Sequence, residues 1–277
     1  MFLLAFLCFA LDFTAVASTD SAGLSPECRI DTLLYNGEHA INMVFAAEGY
    51  RSGELEGFRK LGRGLAEYFL SAPPFSDYTE DFNIFLANTV SDESGISSPE
   101  EERNTFFKVR AGNHGIGRLL VPEDIGKCEK ALDGLLPGWD FICICVNSKE
   151  YGGGGGDLTV VTGHALAGEV LLHELGHSIG GLADEYWSAA EFIGEFPNMT
   201  LSPDNAPWSG IPGTGTYPLL RPDGSTAAYI PCRTTENSAY CKMGMLGKDF
   251  CPACSKAISA AIEEILVNRR RNVPDVL

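Results

Sequence analysis

The chain has 277 residues, 45% of them apolar and 21% charged, a balance that suits a packed globular fold and excludes a disordered one. Acidic residues outnumber basic ones 37 to 20, for a formal charge of −17. A surface of that sign repels nucleic-acid phosphates and anionic lipid, so neither is expected as a partner.

Residues 2–11 read FLLAFLCFAL, with Asp12 next and Ala15-Val16-Ala17 soon after. The run is too short to span a bilayer, no later apolar stretch is long enough to do so, and A-x-A suits signal peptidase. The expected organisation is a secretory signal over 1–17 and a single domain over 18–277, with the processed chain outside the cell. Of the nine cysteines, Cys8 leaves with the signal and eight remain. Cys28 and Cys128 are scattered, and Cys143 and Cys145 lie two apart, which puts them on one face of a strand. Cys232, Cys241, Cys251 and Cys254 crowd together, the last two as CxxC. An even set in an exported chain points to disulfides, with a structural zinc as the competing use of the last four.

Three apolar runs, 41–47, 82–90 and 140–147, read as buried strands. Residues 55–70 place Leu55, Phe58, Leu61, Leu65 and Phe69 at helical spacing, and 128–136 is a second helix candidate. Strands alternating with helices predict an α/β fold with a mostly parallel sheet. The polar, acidic stretch 91–115 reads as a solvated loop. Gly152–Gly156 lacks the lysine of a phosphate loop and reads as flexible chain. Residues 158–162 are β-prone. The strongest helix, 165–179, ends at Gly180-Gly181, residues suited to a positive-φ cap. Residues 197–240 hold many prolines and glycines and predict an irregular region tied down by cysteines, followed by a last helix over 254–268.

Within the strongest helix stands His173-Glu174-Leu175-Gly176-His177, an HExxH segment. At 100° per residue, Glu174 lies about 100° and His177 about 40° from His173, while Leu171, Leu172, Leu175 and Ile179 gather on the opposite arc. Two imidazoles four residues apart reach one tetrahedral metal. Glu174 is turned aside from that axis, where it can take a proton from a zinc-bound water as the water attacks a peptide carbonyl and return it to the leaving amine. Gly176 costs the helix about 1 kcal/mol relative to Ala; a tight crossing and a close substrate approach both account for it. A catalytic zinc needs a third ligand. Asp184 is the first candidate beyond the glycines and Glu185 the competitor; Asp184's other reading is a hydrogen-bond acceptor for a histidine. His39, His114 and His164 read as ordinary polar histidines.

HELGHSIGGLADEY resembles the active-site segment of the secreted IgA metalloendopeptidase family, as do INMVFAAEGY at 41–50, YGGGGG at 151–156, PNMT at 197–200 and CKMGMLGKDFCPAC at 241–254. The likeness spans most of residues 30–265. It implies a metzincin-like catalytic domain: a twisted sheet packed on an active-site helix, with a methionine turn beneath the metal. The helix closes a subdomain over 18–181, and 182–277 forms an irregular, cysteine-containing C-terminal one. His173 and His177 match the zinc ligands, Glu174 the base, Gly180 the glycine seven residues after the first histidine, and Met243, with Met245 as the other choice, the turn methionine. Metzincins place the third ligand ten residues after the first histidine; Ala183 stands there, one residue before Asp184.

The resemblance implies a zinc endopeptidase; with Asp184 as the third ligand beside His173 and His177, one catalytic zinc is expected, in a chain that is secreted and monomeric. Its substrates would be proteins or peptides, immunoglobulin A among them. Residues 158–162 are a candidate edge strand along which substrate pairs, and an ordinary sheet strand is the alternative. Asn198-Met199-Thr200 is a glycosylation sequon. The rival functions are a catalytically silent zinc-containing binding module, which has no use for Glu174, and a zinc hydrolase of non-peptide amides.

Overall fold

The computed structural model describes residues 28–112, 117–156, 158–187, 193–235 and 238–272. The expected signal, Cys8 and His114 lie outside the described residues.

The strand runs that read as continuously apolar are buried on both faces. β1 (Arg29–Leu34) and β2 (Ile41–Glu48) precede α1 (Leu55–Ser71), and β3 (Phe82–Asn88) follows it. Short strands β4 (Val109–Arg110) and β5 (Val121–Pro122) lead to α2 (Ile125–Leu135). Then come β6 (Phe141–Val146), β7 (Gly153–Gly154), β8 (Thr159–Thr162) and α3 (Ala167–Ser178). The C-terminal part holds β9 (Tyr217–Leu220), β10 (Thr226–Ile230), β11 (Thr234–Thr235), β12 (Ser238–Ala239) and α4 (Pro252–Asn272).

The main sheet has the order β1-β3-β2-β6-β8-β7. The four inner strands are mutually parallel, and both edge strands run antiparallel to their neighbours. This is the mixed α/β arrangement, mostly parallel, that alternating strands and helices predict. Strand alternation sorts side chains to the two faces. Met43, Phe45 and Ala47 join Phe58, Leu65 and Phe69 of α1 and Leu171, Leu172 and Leu175 of α3 in one core. Val44 and Ala46 join Leu132 and Leu135 of α2 in the other. Ile258, Ile262 and Leu266 of α4, spaced four apart, enter the α1–α3 core. Cys143 and Cys145 share that face of β6, as their spacing predicts.

Three local expectations change. Residues 158–162 do not form an edge: β8 is an inner strand, and the edge is β7, built from two of the five glycines. Those glycines are paired rather than free because a side chain has no room there. A Cβ at Gly154 would stand 2.2 Å from the Leu120 carbonyl oxygen. Nor is 91–115 simply a solvated loop. Glu48, wholly buried at the end of β2, draws the chain inward. Its Oε1 accepts hydrogen bonds from the Thr105 hydroxyl (2.6 Å) and the Val109 N–H (2.9 Å), and its Oε2 accepts one from the Phe107 N–H (2.8 Å). A buried carboxylate is tolerable only with such a set of donors. The helix expected at 128–136 begins earlier, because Asp124 caps it by accepting from the Lys127 N–H at 3.0 Å. Among the described residues, no disulfide joins the seven buried cysteines from Cys128 to Cys254. Among the described residues, no helix is long and apolar enough to cross a membrane.

Candidate metal centre

α3 owes its position to its apolar arc: Leu171 and Leu175 are fully buried against the sheet. That leaves His173, Glu174 and His177 facing a cleft lined also by Arg118, Gly155, Tyr186 and Met245. Gly176 sits where the 241–245 turn presses on the helix. A Cβ there would lie 2.6 Å from the Met243 sulfur and 3.0 Å from the Phe250 ring. Close packing of the chain therefore explains this helical glycine, and Met243, fully buried, is the methionine packed beneath α3. Met245 instead lines the cleft.

After the helix the chain reverses at Gly181, where φ is +59°, a conformation that glycine adopts without cost. The Gly181 and Leu182 N–H groups close back on the His177 and Gly176 carbonyls. The reversed chain brings the Leu182 carbonyl to 2.7 Å from His177 Nδ1, and the Lys242 carbonyl lies 3.1 Å from His173 Nδ1. A carbonyl can only accept, so both imidazoles carry their proton on Nδ1. Both Nε2 lone pairs are then left for a third party.

Those two Nε2 atoms converge on Asp184. Its Oδ1 lies 3.1 Å from His173 Nε2 and 3.4 Å from His177 Nε2. Yet this buried oxygen has no aligned hydrogen-bond partner among the described residues. Ligand atoms about 2.0–2.1 Å from a tetrahedral zinc stand about 3.4 Å apart. The three atoms thus have the spacing of a coordination shell rather than the directionality of hydrogen bonds, and they group together as possible metal ligands. Glu185 takes no part in this set: it is wholly buried and its Oε1 faces the Cys254 sulfur. The extra residue after Ala183 is absorbed in the 182–185 segment, where Asp184 turns toward the histidines and Glu185 away.

Electrostatics favour a cation here. Burial opposes a charged imidazole at His177, but Asp184, Glu174 and the Leu182 carbonyl outweigh it and raise the group to about 9. Burial likewise opposes ionisation of Asp184, and the two histidines overcome it, holding the carboxyl well below the usual range. Burial pushes Glu174 up, against the pull of both imidazoles. Protons and a divalent ion would compete for the same field.

Two features of the site escaped the sequence. Asn198 reads as a sequon, but it is wholly buried and inaccessible to glycosylation in the folded chain. Its Oδ1 accepts from the Ala183 N–H at 2.7 Å, and its Nδ2 donates to the Ala183 carbonyl (2.8 Å) and to Glu185 Oε1 (3.1 Å). It thereby holds the Ala183 backbone on one side of Asp184 and the Glu185 side chain on the other. The second is Gly155, where a Cβ would stand 2.1 Å from Glu174 Oε2. The glycine chain lies directly against the carboxylate. Gly155→Ala is therefore expected to displace Glu174 or the loop and to lower kcat/KM about 10²-fold, the scale of an ångström-sized misplacement. Metal content should be unchanged. Peptide hydrolysis rates together with metal analysis check this, and a fully active variant would show that the contact relaxes harmlessly.

Of the two other described histidines, His39 and His164, the latter has a local use: His164 Nδ1 accepts from the Leu166 N–H at 3.1 Å, just before α3. No curated protein matches the chain. The family model for IgA peptidase M64 matches residues 34–209, which takes in the whole main sheet from β2 onward, α3 and Asp184, and ends before the 241–254 segment. The chain belongs to the IgA peptidase M64 family.

Proposed function

We propose that the protein is a secreted, zinc-dependent endopeptidase and that His173, His177 and Asp184 hold the metal. One observation carries this reading. Two imidazoles with Nδ1 committed to backbone carbonyls point their Nε2 atoms at a single unpartnered carboxylate oxygen. Bound there, zinc supplies a Lewis acid that polarises a carbonyl and brings the pKa of water toward ~7.

The chain's own groups do the rest. Glu174 is one residue along the helix from His173 and is held against the Gly155 backbone, so its carboxylate sits beside the three donor atoms without joining them. It accepts the proton of the attacking water and returns it to the departing amine nitrogen. Its burial, which disfavours the charged form, keeps it a stronger base than a solvated carboxylate. The Tyr186 hydroxyl, beside Asp184, and Arg118 line the cleft and offer donors to a substrate carbonyl. The family supports a protein substrate; immunoglobulin A is the substrate that its name suggests for trial.

The test is metal removal. A casein or peptide-library digest should proceed with the metal-loaded chain, stop on dialysis against a chelator, and resume when zinc is returned. Cleavage that survives complete chelation would overturn the proposal. Including immunoglobulin A in the digest examines the narrower substrate reading.

A further inference from the structure

A second group of ligand-type side chains lies behind Asp184. Cys241, Cys251, Cys254 and Glu185 bring one ligand atom each within 4.8 Å of one another, all buried. Cys232 joins them, with its thiol in contact with those of Cys241 and Cys251. Cys251 also contacts Cys254, and Cys241 contacts both Cys251 and Cys254. Five of the six pairings among the four sulfurs thus interact, Cys232–Cys254 being the exception, so the four thiols form one cluster with Cys232 on its side away from Cys254.

The spacing separates the two uses open to such cysteines. The Cys241 and Cys254 sulfurs stand 3.6 Å apart. A disulfide needs about 2.05 Å, whereas the edge of a zinc tetrahedron with 2.3 Å Zn–S bonds is about 3.8 Å. Pairing into disulfides would also demand one partner per sulfur, but Cys241 and Cys251 each touch three others. The backbone prepares sulfur for negative charge. The Cys251 N–H lies 3.4 Å from the Cys241 sulfur, and the Cys254 N–H is directed at the Cys251 sulfur. The CxxC pair sits at the first turn of α4, where helix N–H groups favour thiolate. Glu185 adds a separate sign. Its Oε2 is buried without a hydrogen-bond partner among the described residues, although Oε1 meets Cys254 at 3.2 Å.

We propose that Cys232, Cys241, Cys251 and Cys254 bind a structural zinc ion, with the Glu185 carboxyl packed against the sulfur of Cys254. This site is distinct from the His173–His177–Asp184 centre and lies beyond the matched family segment, apart from Glu185. It ties together the two segments that shape that centre. The Glu185 N–H donates to the Met243 carbonyl at 2.8 Å, and Cys241 immediately precedes Lys242, whose carbonyl orients His173. A metal here takes over the stapling role expected of disulfides.

The test uses the whole chain, purified without reductant or chelator and loaded with cobalt(II) in place of zinc. Thiolate ligands give an intense sulfur-to-cobalt charge-transfer band that histidine and carboxylate ligands cannot give. The expected result is two metal ions per chain in the wild type, falling to one in a His173→Ala/His177→Ala variant that keeps the sulfur band undiminished. That variant isolates this proposal from the peptidase reading, since failure of the histidine site would leave the band intact. Absence of the band from folded, cobalt-loaded chain would overturn the proposal. So would mass spectrometry finding the four sulfurs in two disulfides. Cysteine variants that fail to fold would not affect either readout, because both are made with all four cysteines present.

Discussion

Glu174→Gln should lower kcat/KM for peptide hydrolysis by about 10³-fold, within the 10²–10⁴ range that a positioned general base contributes, while the variant keeps its zinc. The substitution preserves shape, so the fit beneath Gly155, where even a methyl group has no room, is undisturbed. What disappears is the ability to accept a proton. Glu174 is not one of the three converging donor atoms, so metal content should not move. Stability should not fall either. Burial raises the Glu174 pKa, which means that the folded state disfavours its charged form. A group raised in this way is most compatible with the fold when protonated, and that compatibility is lost as pH rises through its folded pKa. A neutral amide removes the penalty, so the metal-free variant should melt at the same temperature as the wild type or higher. Active sites commonly hold such a conflict between stability and function. Initial rates on a fluorogenic peptide, metal analysis and thermal denaturation test the three parts. A variant with more than a tenth of wild-type activity would remove Glu174 from the chemistry.

Much of this architecture is visible in the sequence because it is periodic. The runs of β2, β3 and β6 are continuously apolar because both faces are covered, and the spacings of α1 and α3 follow from one buried arc each. The pairing of the two HExxH imidazoles was legible for the same reason: helical periodicity alone places His177 over His173. What was not legible depends on chain brought from afar. The carbonyls of Lys242 and Leu182 orient the two imidazoles, and a carbonyl carries no sequence signature. The choice between Asp184 and Glu185 depends on how the chain leaves Gly181 and on Asn198, which a short motif labels a glycosylation site because a motif cannot register burial. The glycines of β7 mislead in a similar way. Propensity reads them as flexible, whereas steric crowding from Val170 at Gly153 and from Leu120 at Gly154 makes them obligatory. Glu48 did leave a signal. A carboxylate closing the otherwise apolar run INMVFAA must find donors, and the backbone of 105–109 supplies them.

Asp184→Ala should weaken zinc binding at the histidine pair by at least about 10²-fold, the upper scale for loss of a group that merely supports a ligand. Two imidazoles would remain where a stable site needs three protein ligands. The pH dependence separates loss of a ligand from a change in proton competition. In the metal-free wild type, His177 is raised to about 9, with Asp184 the leading cause that raises it. Zinc must displace that proton, so wild-type affinity should climb as pH rises from 7 toward 9. Removing Asp184 lets the imidazole titrate lower, which by itself would help zinc at neutral pH. A weaker site at pH 7 in the variant therefore reports the missing carboxylate oxygen and not tighter-held protons, and the climb in affinity should end at a lower pH. Zinc titrations followed by the imidazole NMR signals of His173 and His177, at several pH values between 6 and 9, resolve this centre from any zinc held by sulfur. Equal affinity in the two proteins across that range would exclude Asp184 from the coordination shell, despite the 3.1 and 3.4 Å approaches of its Oδ1 to the two Nε2 atoms.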